Sequence, residues 1–91
     1  MSGVLRRDAE ICNSKGLHAR AAAKFCKTAE QFEAEILVKR GDTEVSGRSI
    51  MGLMMLAAAQ GTTIQITTSG SDADAAMTAI CTLVANKFDE E

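Results

Sequence analysis

The residue types best suited to chemistry lie in one short stretch, Lys15-Gly16-Leu17-His18-Ala19-Arg20, which contains the only histidine of the chain. A neutral imidazole is a good nucleophile toward phosphorus. An alanine-rich helical pattern starts directly afterwards, so the side chain would lie at a helix N-terminus, where unpaired N–H groups favour an anion. We therefore expect His18 to accept and donate a phosphoryl group whose oxygens Arg20 can bind. A surface or capping histidine without a further role is the alternative.

Ser49 and the apolar residues after it form a second candidate region. Ser49 fits the N-cap of a short helix, a role that needs no further function. A phosphate there would be tolerated at the helix N-terminus, and its charge would weaken docking of an acidic partner on the apolar surface beside it. We expect part of that surface to be exposed as an adaptable contact patch, rimmed by basic residues of the first helix. The apolar residues are Ile50, Met51, Leu53, Met54 and Met55, and the basic residues are Lys24 and Lys27.

The composition argues against several classes of function. With 91 residues and a net charge of −2, the chain has the size of one domain, 1–91, and lacks the positive charge that non-specific nucleic-acid binding needs. Three phenylalanines are its only aromatic residues, so no stacking platform for bases is visible. The longest apolar run, residues 50–59, is too short to cross a membrane, and residues 1–7 do not resemble a signal peptide. We therefore expect a cytoplasmic protein.

The sequence carries no pattern typical of a metal or cofactor site. Cys12, Cys26 and Cys81 are odd in number and widely spaced, which favours reduced core residues over zinc ligands or disulfides. The glycines are scattered rather than grouped into a nucleotide-binding loop, and paired carboxylates for acid–base catalysis are not evident. We expect no metal, no cofactor and no self-contained hydrolytic activity.

Hydropathy periods predict seven elements in the order β-α-β-β-α-β-α. The strands are expected at residues 5–11, 34–39, 43–45 and 62–68, and the helices at 19–31, 50–59 and 72–87. Ser49 and Gly61 would frame the second helix, and Ser71 with Asp74 fits a capping box for the third. This order predicts an α+β sandwich with helices on one face of an antiparallel sheet, ending in a solvated acidic tail, 89–91.

Two motifs give the chain a family resemblance. Gly16-Leu17-His18-Ala19-Arg20, followed by a helix, is similar to the active-site signature of HPr, the histidine-containing phosphocarrier of the bacterial phosphoenolpyruvate-dependent phosphotransferase system. Val45-x-Gly47-Arg48-Ser49-Ile50-Met51-Gly52-Leu53-Met54 resembles the second signature of that family, around its regulatory serine. The two motifs occur in the family's order, and the resemblance extends over almost the whole chain.

The resemblance implies a fold and a relay. The fold would be an open-faced β-sandwich, with a four-stranded antiparallel sheet covered by three helices. Enzyme I, phosphorylated by phosphoenolpyruvate, would pass the phosphoryl group to Nδ1 of His18, which would pass it to a histidine of an enzyme IIA. The relay would serve sugar uptake or a nitrogen-type regulatory branch. The protein would be a carrier rather than a free-standing catalyst, and we expect a monomer.

The resemblance also assigns roles to particular residues. Arg20 matches the family's active-site arginine, and Ser49 matches the site of its regulatory kinase, HPr kinase/phosphorylase. Docking of partners is expected on Lys24, Lys27, Arg48, Ile50, Met51 and Met54. The residue after Arg20 is commonly proline in the family and is Ala21 here, so we expect the His18 loop to be more mobile.

Two other functions remain open at this point. In the first, the protein is mainly a regulatory binding module, and the phosphorylation state of Ser49 sets which transcription factor or kinase docks. In the second, the protein shares the fold but binds a ligand or partner without being phosphorylated.

Overall fold

A computed structural model describes residues 4–90 of the chain, and in it four strands form one sheet that is covered by three helices. The order β-α-β-β-α-β-α is the one that the sequence predicts. The elements are β1 (Leu5–Glu10), α1 (Ala19–Ala29), β2 (Glu35–Arg40), β3 (Thr43–Ser46), α2 (Ile50–Met55), β4 (Thr63–Ser69), α3 (Ala73–Ala85) and a final 3-10 turn (Lys87–Asp89). The expected α+β class, an open-faced sandwich on an antiparallel sheet, is confirmed.

The sheet has the strand order β1-β4-β2-β3, and all neighbouring strands are antiparallel. β4 is therefore central, and its alternate residues Ile64, Ile66 and Thr68 are buried. The Thr68 hydroxyl donates a hydrogen bond of 2.9 Å to the carbonyl of Ala73, which satisfies the one polar side chain of this buried set. The period-two pattern of the sequence thus corresponds to the face of β4 that lies on the core.

The core forms between this face of the sheet and the apolar faces of α1 and α3. Phe25 of α1 and Phe88 after α3 are the largest fully buried side chains. The helical residues that share this core are Ala21, Ala22, Phe25, Cys26 and Ala29 of α1, Leu53 of α2, and Ala76, Met77, Ile80 and Val84 of α3. Because the loop containing His18 joins β1 to α1, the core holds both ends of that loop.

The second helix is shorter than the sequence predicts. It ends at Met55, and Ala57 takes the left-handed conformation (φ 51°) that glycine usually supplies at a helix end. Gly61 instead lies in the turn before β4, where its N–H donates to the carbonyl of Ile11 at 2.7 Å. The chain leaves the helix early because Leu56 and Ala58 are buried, and the Ala58 carbonyl accepts from the N–H of Leu17.

The predicted capping box of the third helix is wrong. Asp72, not Ser71, occupies the N-cap of α3, and its carboxylate accepts from the N–H of Glu33 at 2.7 Å. The Ser71 hydroxyl donates to the carbonyl of Glu33 at 3.4 Å. Both side chains therefore bind the loop after α1, and a tertiary contact takes the place of the local cap.

The C-terminal end departs most from the expected solvated tail. After α3 the chain turns through three consecutive residues with positive φ: Lys87 (58°), Phe88 (57°) and Asp89 (62°). This turn buries Phe88 completely and brings Glu90 back to the protein surface, where it is only partly exposed. Asp89 is exposed as expected, and Glu91 lies outside the described residues.

Candidate phosphoryl-transfer site

His18 is the N-cap residue of α1. Its backbone is extended (φ −77°, ψ 179°), and its carbonyl accepts the first helical hydrogen bond, from Ala22 at 2.8 Å. The imidazole makes no capping hydrogen bond with α1 and instead contacts Glu90 through Nε2. The first N–H groups of α1 are thus not capped by this side chain, and a helix N-terminus in that state is suited to bind an anion.

The loop before His18 is held by contacts with two distant segments. Gly16 (φ 65°) packs so closely on the backbone of Ala58 that a Cβ there would lie 2.5 Å from the Ala58 carbonyl oxygen. Leu17 is buried, and its N–H donates to that same oxygen at 2.9 Å. Asn13 is also buried and donates to the carbonyl of Gly16 at 2.8 Å. These bonds fix the backbone directly before His18 by tertiary contact.

Glu90 is a site residue that the sequence reasoning missed. One carboxylate oxygen contacts Nε2 of His18, and the other accepts from Nδ2 of Asn13 at 3.0 Å. These hydrogen bonds, above all the one from His18, hold the pKa of the Glu90 carboxyl below its usual value of 4.5. The apolar spacing of α3 extends to Phe88 and was the only available signal that the chain end returns to the core. The left-handed turn that directs Glu90 toward His18 has no local sequence signature.

A cleft of about 550 Å³ opens beside His18. Its lining includes both residues that the sequence singles out for phosphoryl chemistry, His18 and Arg20. The charged residues that line it are Lys15, Arg20, Lys24, Lys87, Asp89 and Glu90, so four cations face two carboxylates. This excess of positive charge, next to a helix N-terminus, suits a doubly charged phosphoryl group.

Arg20 and Lys24 occupy this cleft in different ways. Arg20 is exposed on the first turn of α1 and lines the cleft together with His18. Lys24 is half-buried, and its ammonium donates to the carbonyl of Phe88 at 2.8 Å. Lys24 therefore holds the C-terminal turn in addition to any contact with a partner. Ala21, at the position where proline is expected, is fully buried against the core.

Ser49 is the N-cap of α2, as expected. Its hydroxyl oxygen accepts from the N–H of Gly52 at 2.9 Å, and its carbonyl accepts from Leu53 at 2.9 Å. The neighbouring Arg48 donates from its guanidinium to the carbonyls of Phe32 (2.7 Å) and Ala34 (3.2 Å). Arg48 thus binds the loop after α1, a structural contact that the docking assignment did not include.

The apolar surface of α2 is exposed in the way the sequence indicates. Met51 is 74% exposed, Met54 43% and Ile50 42%, whereas Leu53 of the same helix is completely buried. Met55 is exposed as well, at 73%. The helix therefore anchors through one residue and presents the others outward, together with the exposed Lys27 on α1.

Among residues 4–90, no cluster of three or more His, Cys, Asp or Glu side chains could hold a metal ion. The three cysteines are free thiols, with Cys26 buried and Cys12 and Cys81 half-buried. No helix within 4–90 has the length and apolar character that crossing a membrane requires.

The chain is similar to known proteins in both sequence and structure. Residues 5–86 match the family model described as "PTS HPr component phosphorylation site". The chain is 51% identical over 87 residues to the phosphocarrier protein HPr of Neisseria meningitidis serogroup A, covering 96% of this chain and 98% of the relative. It is 50% identical over 86 residues to the phosphocarrier protein NPr of Shewanella violacea, covering 94% of each. The crystal structure of HPr-C-His from Thermoanaerobacter tengcongensis superimposes with a TM-score of 0.91 at 39% identity, covering 96% of this chain and 98% of that one.

Proposed function

Because the chain belongs to the HPr family of phosphocarriers of the phosphotransferase system, we propose that His18 is its phosphorylated residue. In this proposal Nδ1 of His18 receives the phosphoryl group from phosphorylated enzyme I and passes it to a histidine of an enzyme IIA. The supporting observation is the state of the ring: Nε2 is engaged by Glu90, so Nδ1 is the nitrogen left for phosphorus. The protein acts as a carrier between two partners in the cytoplasm.

The groups around His18 supply binding rather than acid–base chemistry. Arg20 binds the phosphoryl oxygens with charge-assisted hydrogen bonds, and the first N–H groups of α1 bind them from the helix side. Little covalent chemistry is asked of the protein in phosphoryl transfer, so positioning and charge stabilisation account for most of the rate. The mixed polar cleft beside His18 provides both.

Partners dock on the exposed surface of α2 in this proposal. Ile50, Met51 and Met54 form its apolar part, and Lys24, Lys27 and Arg48 are the basic residues assigned to it. Flexible methionines adapt to several partner surfaces, which suits a carrier that meets a donor and an acceptor in turn. A monomer leaves this surface free for both encounters.

Labelling with purified enzyme I and [32P]phosphoenolpyruvate tests the carrier role. The wild type is expected to gain a label that acid removes and base preserves, as a phosphohistidine does, and His18→Ala is expected to gain none. Arg20→Ala should be labelled more slowly. A wild type without label, or an equally labelled His18→Ala, would show that this chain is not a His18 phosphocarrier.

The type of enzyme I that phosphorylates the protein identifies its branch of the phosphotransferase system. The two named relatives are an HPr and an NPr, at 51% and 50% identity. We therefore propose the carrier role for either branch, sugar uptake or nitrogen-type. Parallel labelling with an enzyme I of each type assigns it, because the true donor should phosphorylate His18 at a much lower carrier concentration.

A regulatory role is the second candidate, and the position of Ser49 favours it. Ser49 directly precedes the exposed residues Ile50 and Met51, so a phosphate there would add charge to the docking surface. HPr kinase/phosphorylase with ATP should then give an acid-stable label that Ser49→Ala lacks. If the serine label forms and leaves transfer from enzyme I unchanged, Ser49 does not control docking of that partner.

A further inference from the structure

Glu90 connects the end of the chain to the proposed phosphorylation site. Its two carboxylate oxygens are divided between His18 Nε2 and Asn13 Nδ2, residues that lie 72 and 77 positions earlier in the sequence. Asn13 in turn donates to the carbonyl of Gly16, so one buried amide connects Glu90 to the backbone of the His18 loop. The position of the Glu90 carboxylate is therefore fixed by the His18 loop as well as by the C-terminal turn that carries it.

The segment that carries Glu90 is held in an unusual conformation. Lys87, Phe88 and Asp89 all have φ near +60°, a region that residues other than glycine rarely adopt and that must be maintained by surrounding contacts. Phe88 is completely buried in the core, and its carbonyl accepts from the ammonium of Lys24 at 2.8 Å. The fold thus maintains an energetically unfavourable turn, and this turn places the Glu90 carboxylate beside the imidazole.

We propose that Glu90 is a positioning residue for phosphoryl transfer, because its carboxylate holds the proton of His18 on Nε2 and leaves the lone pair of Nδ1 free for phosphorus. This inference rests on the proposed function of His18. A carboxylate can only accept a hydrogen bond, so the contact selects the tautomer that carries its proton on Nε2. The carboxylate also restricts rotation of the ring.

The proton and charge balance of the transfer fits this arrangement. The bond between phosphorus and the donor breaks, the bond between phosphorus and Nδ1 forms, and the proton stays on Nε2. The imidazole thereby becomes a phosphorylated cation, which the adjacent carboxylate stabilises. When the group leaves for the acceptor, the ring returns to the neutral Nε2–H tautomer without exchanging a proton with solvent.

The side of the ring on which Glu90 lies is important. A carboxylate next to Nδ1 would repel an incoming phosphoryl dianion, whereas on Nε2 it is separated from the dianion by the ring. The cleft also supplies Lys15, Arg20 and Lys87, whose charges offset that of the carboxylate. Glu90 can therefore stabilise the cationic ring without excluding the anionic group.

Four variants test the role of Glu90. Glu90→Ala removes both the acceptor and the charge, Glu90→Gln substitutes a neutral amide that can accept or donate, and Glu90→Asp keeps the charge on a shorter side chain. Glu44→Ala is the matched control, because Glu44 is an exposed glutamate on β3 that does not line the cleft beside His18. Circular dichroism and thermal unfolding of each variant establish that it is folded.

The first readout is the tautomer of His18, measured by 15N NMR on the unphosphorylated protein at a pH where the ring is neutral. We expect the Nε2–H form in the wild type and in Glu44→Ala, and a measurable Nδ1–H fraction in Glu90→Ala and in Glu90→Gln, because a glutamine amide can also donate to Nε2. A residue that merely anchors the chain end would leave the tautomer ratio of Glu90→Ala unchanged.

The second readout is the rate of phosphorylation by enzyme I and phosphoenolpyruvate. Loss of a hydrogen bond to a charged group predicts a rate about tenfold lower in Glu90→Ala. Glu90→Gln should be slowed less, Glu90→Asp should recover part of the wild-type rate, and Glu44→Ala should match it. If Glu90→Ala keeps both the wild-type tautomer and the wild-type rate, this inference is overturned while the carrier role stands. If the wild type itself takes no label, the carrier role has failed instead.

Discussion

The N-cap residues of α1 and α2 direct their side chains in opposite ways. Ser49 directs its side chain into its own helix, where the hydroxyl oxygen accepts from Gly52 at 2.9 Å. His18 directs its side chain away from its helix and toward Glu90. One N-terminus is thus closed by its own cap, whereas the other leaves its N–H groups to a group that arrives from outside.

The two N-termini also differ in what holds them. The contacts of Ser49 are local: its N–H donates to Ser46, and its oxygens accept from Gly52 and Leu53. The His18 loop depends on segments near Ala58 and Glu90, which are far away in the sequence. Local bonds suffice for a cap, but a nucleophile that must meet phosphorus in one orientation benefits from support on several sides.

The largest expected effect comes from disturbing the His18 loop at Gly16. In Gly16→Ala the new Cβ would lie 2.5 Å from the Ala58 carbonyl oxygen, in a backbone with φ 65°. We expect a loss of about 3 kcal/mol in the free energy of unfolding, together with slower phosphorylation. Gly41→Ala is the control, because Gly41 has φ 59° and nothing within 4 Å of its Cβ position. Urea denaturation should show a smaller loss there, about 1 kcal/mol, and equal losses would mean that the close approach to Ala58 costs little.

The second-largest expected effect is on partner docking at the exposed apolar surface of α2, beside Ser49. Met51→Asp places a charge on a side chain that is 74% exposed, so the fold should persist while docking of enzyme I weakens by about tenfold. The concentration of carrier that half-saturates enzyme I measures this change. Met55→Asp is the matched control on the same helix, at 73% exposure. An effect of Met55→Asp as large as that of Met51→Asp would place the docking surface further toward the end of α2.

Replacing each N-cap residue by alanine should change the stability of the protein by different amounts. Ser49→Ala removes a capping hydrogen bond and should lower the free energy of unfolding by about 1 kcal/mol while His18 still takes a label. His18→Ala should change stability less, because its side chain is not part of the cap, and should abolish the label. The contrast between the two N-termini fails if His18→Ala is the more destabilised variant in thermal unfolding.

The smallest expected effect is the pH dependence of the Glu90 contact. Because hydrogen bonds from His18 and Asn13 lower the pKa of Glu90 in the folded state, the contact adds stability above the usual pKa of 4.5. That stability should disappear as the pH falls through the lower folded pKa. The wild type should melt above Glu90→Gln at pH 6, by less than about 4 °C, and the two curves should converge toward pH 3. A difference that grows on acidification would contradict the direction of the shift.

Much of the fold was predictable because burial imposes a period on the sequence. The alternation in β4 and the 3.6-residue spacing of Phe25 and Ala29 in α1 record which face packs on the core. Helix ends were predicted less well, since they depend on partners from other elements. α2 ends at Met55, and the chain then turns so that the Ala58 carbonyl accepts from the N–H of Leu17. The carboxylate of Asp72 accepts from the N–H of Glu33 rather than from an N–H of α3.

The amino-acid sequence by itself determined the order of elements, the placement of His18 and Ser49 at helix starts, and the family to which the chain belongs. These features are local, because they depend on spacing within a few residues. Only the tertiary structure decided which nitrogen of His18 is engaged, since that depends on Glu90. Three left-handed residues and a buried phenylalanine bring this carboxylate across the fold, and no local pattern in residues 87–90 specifies where such a turn will point.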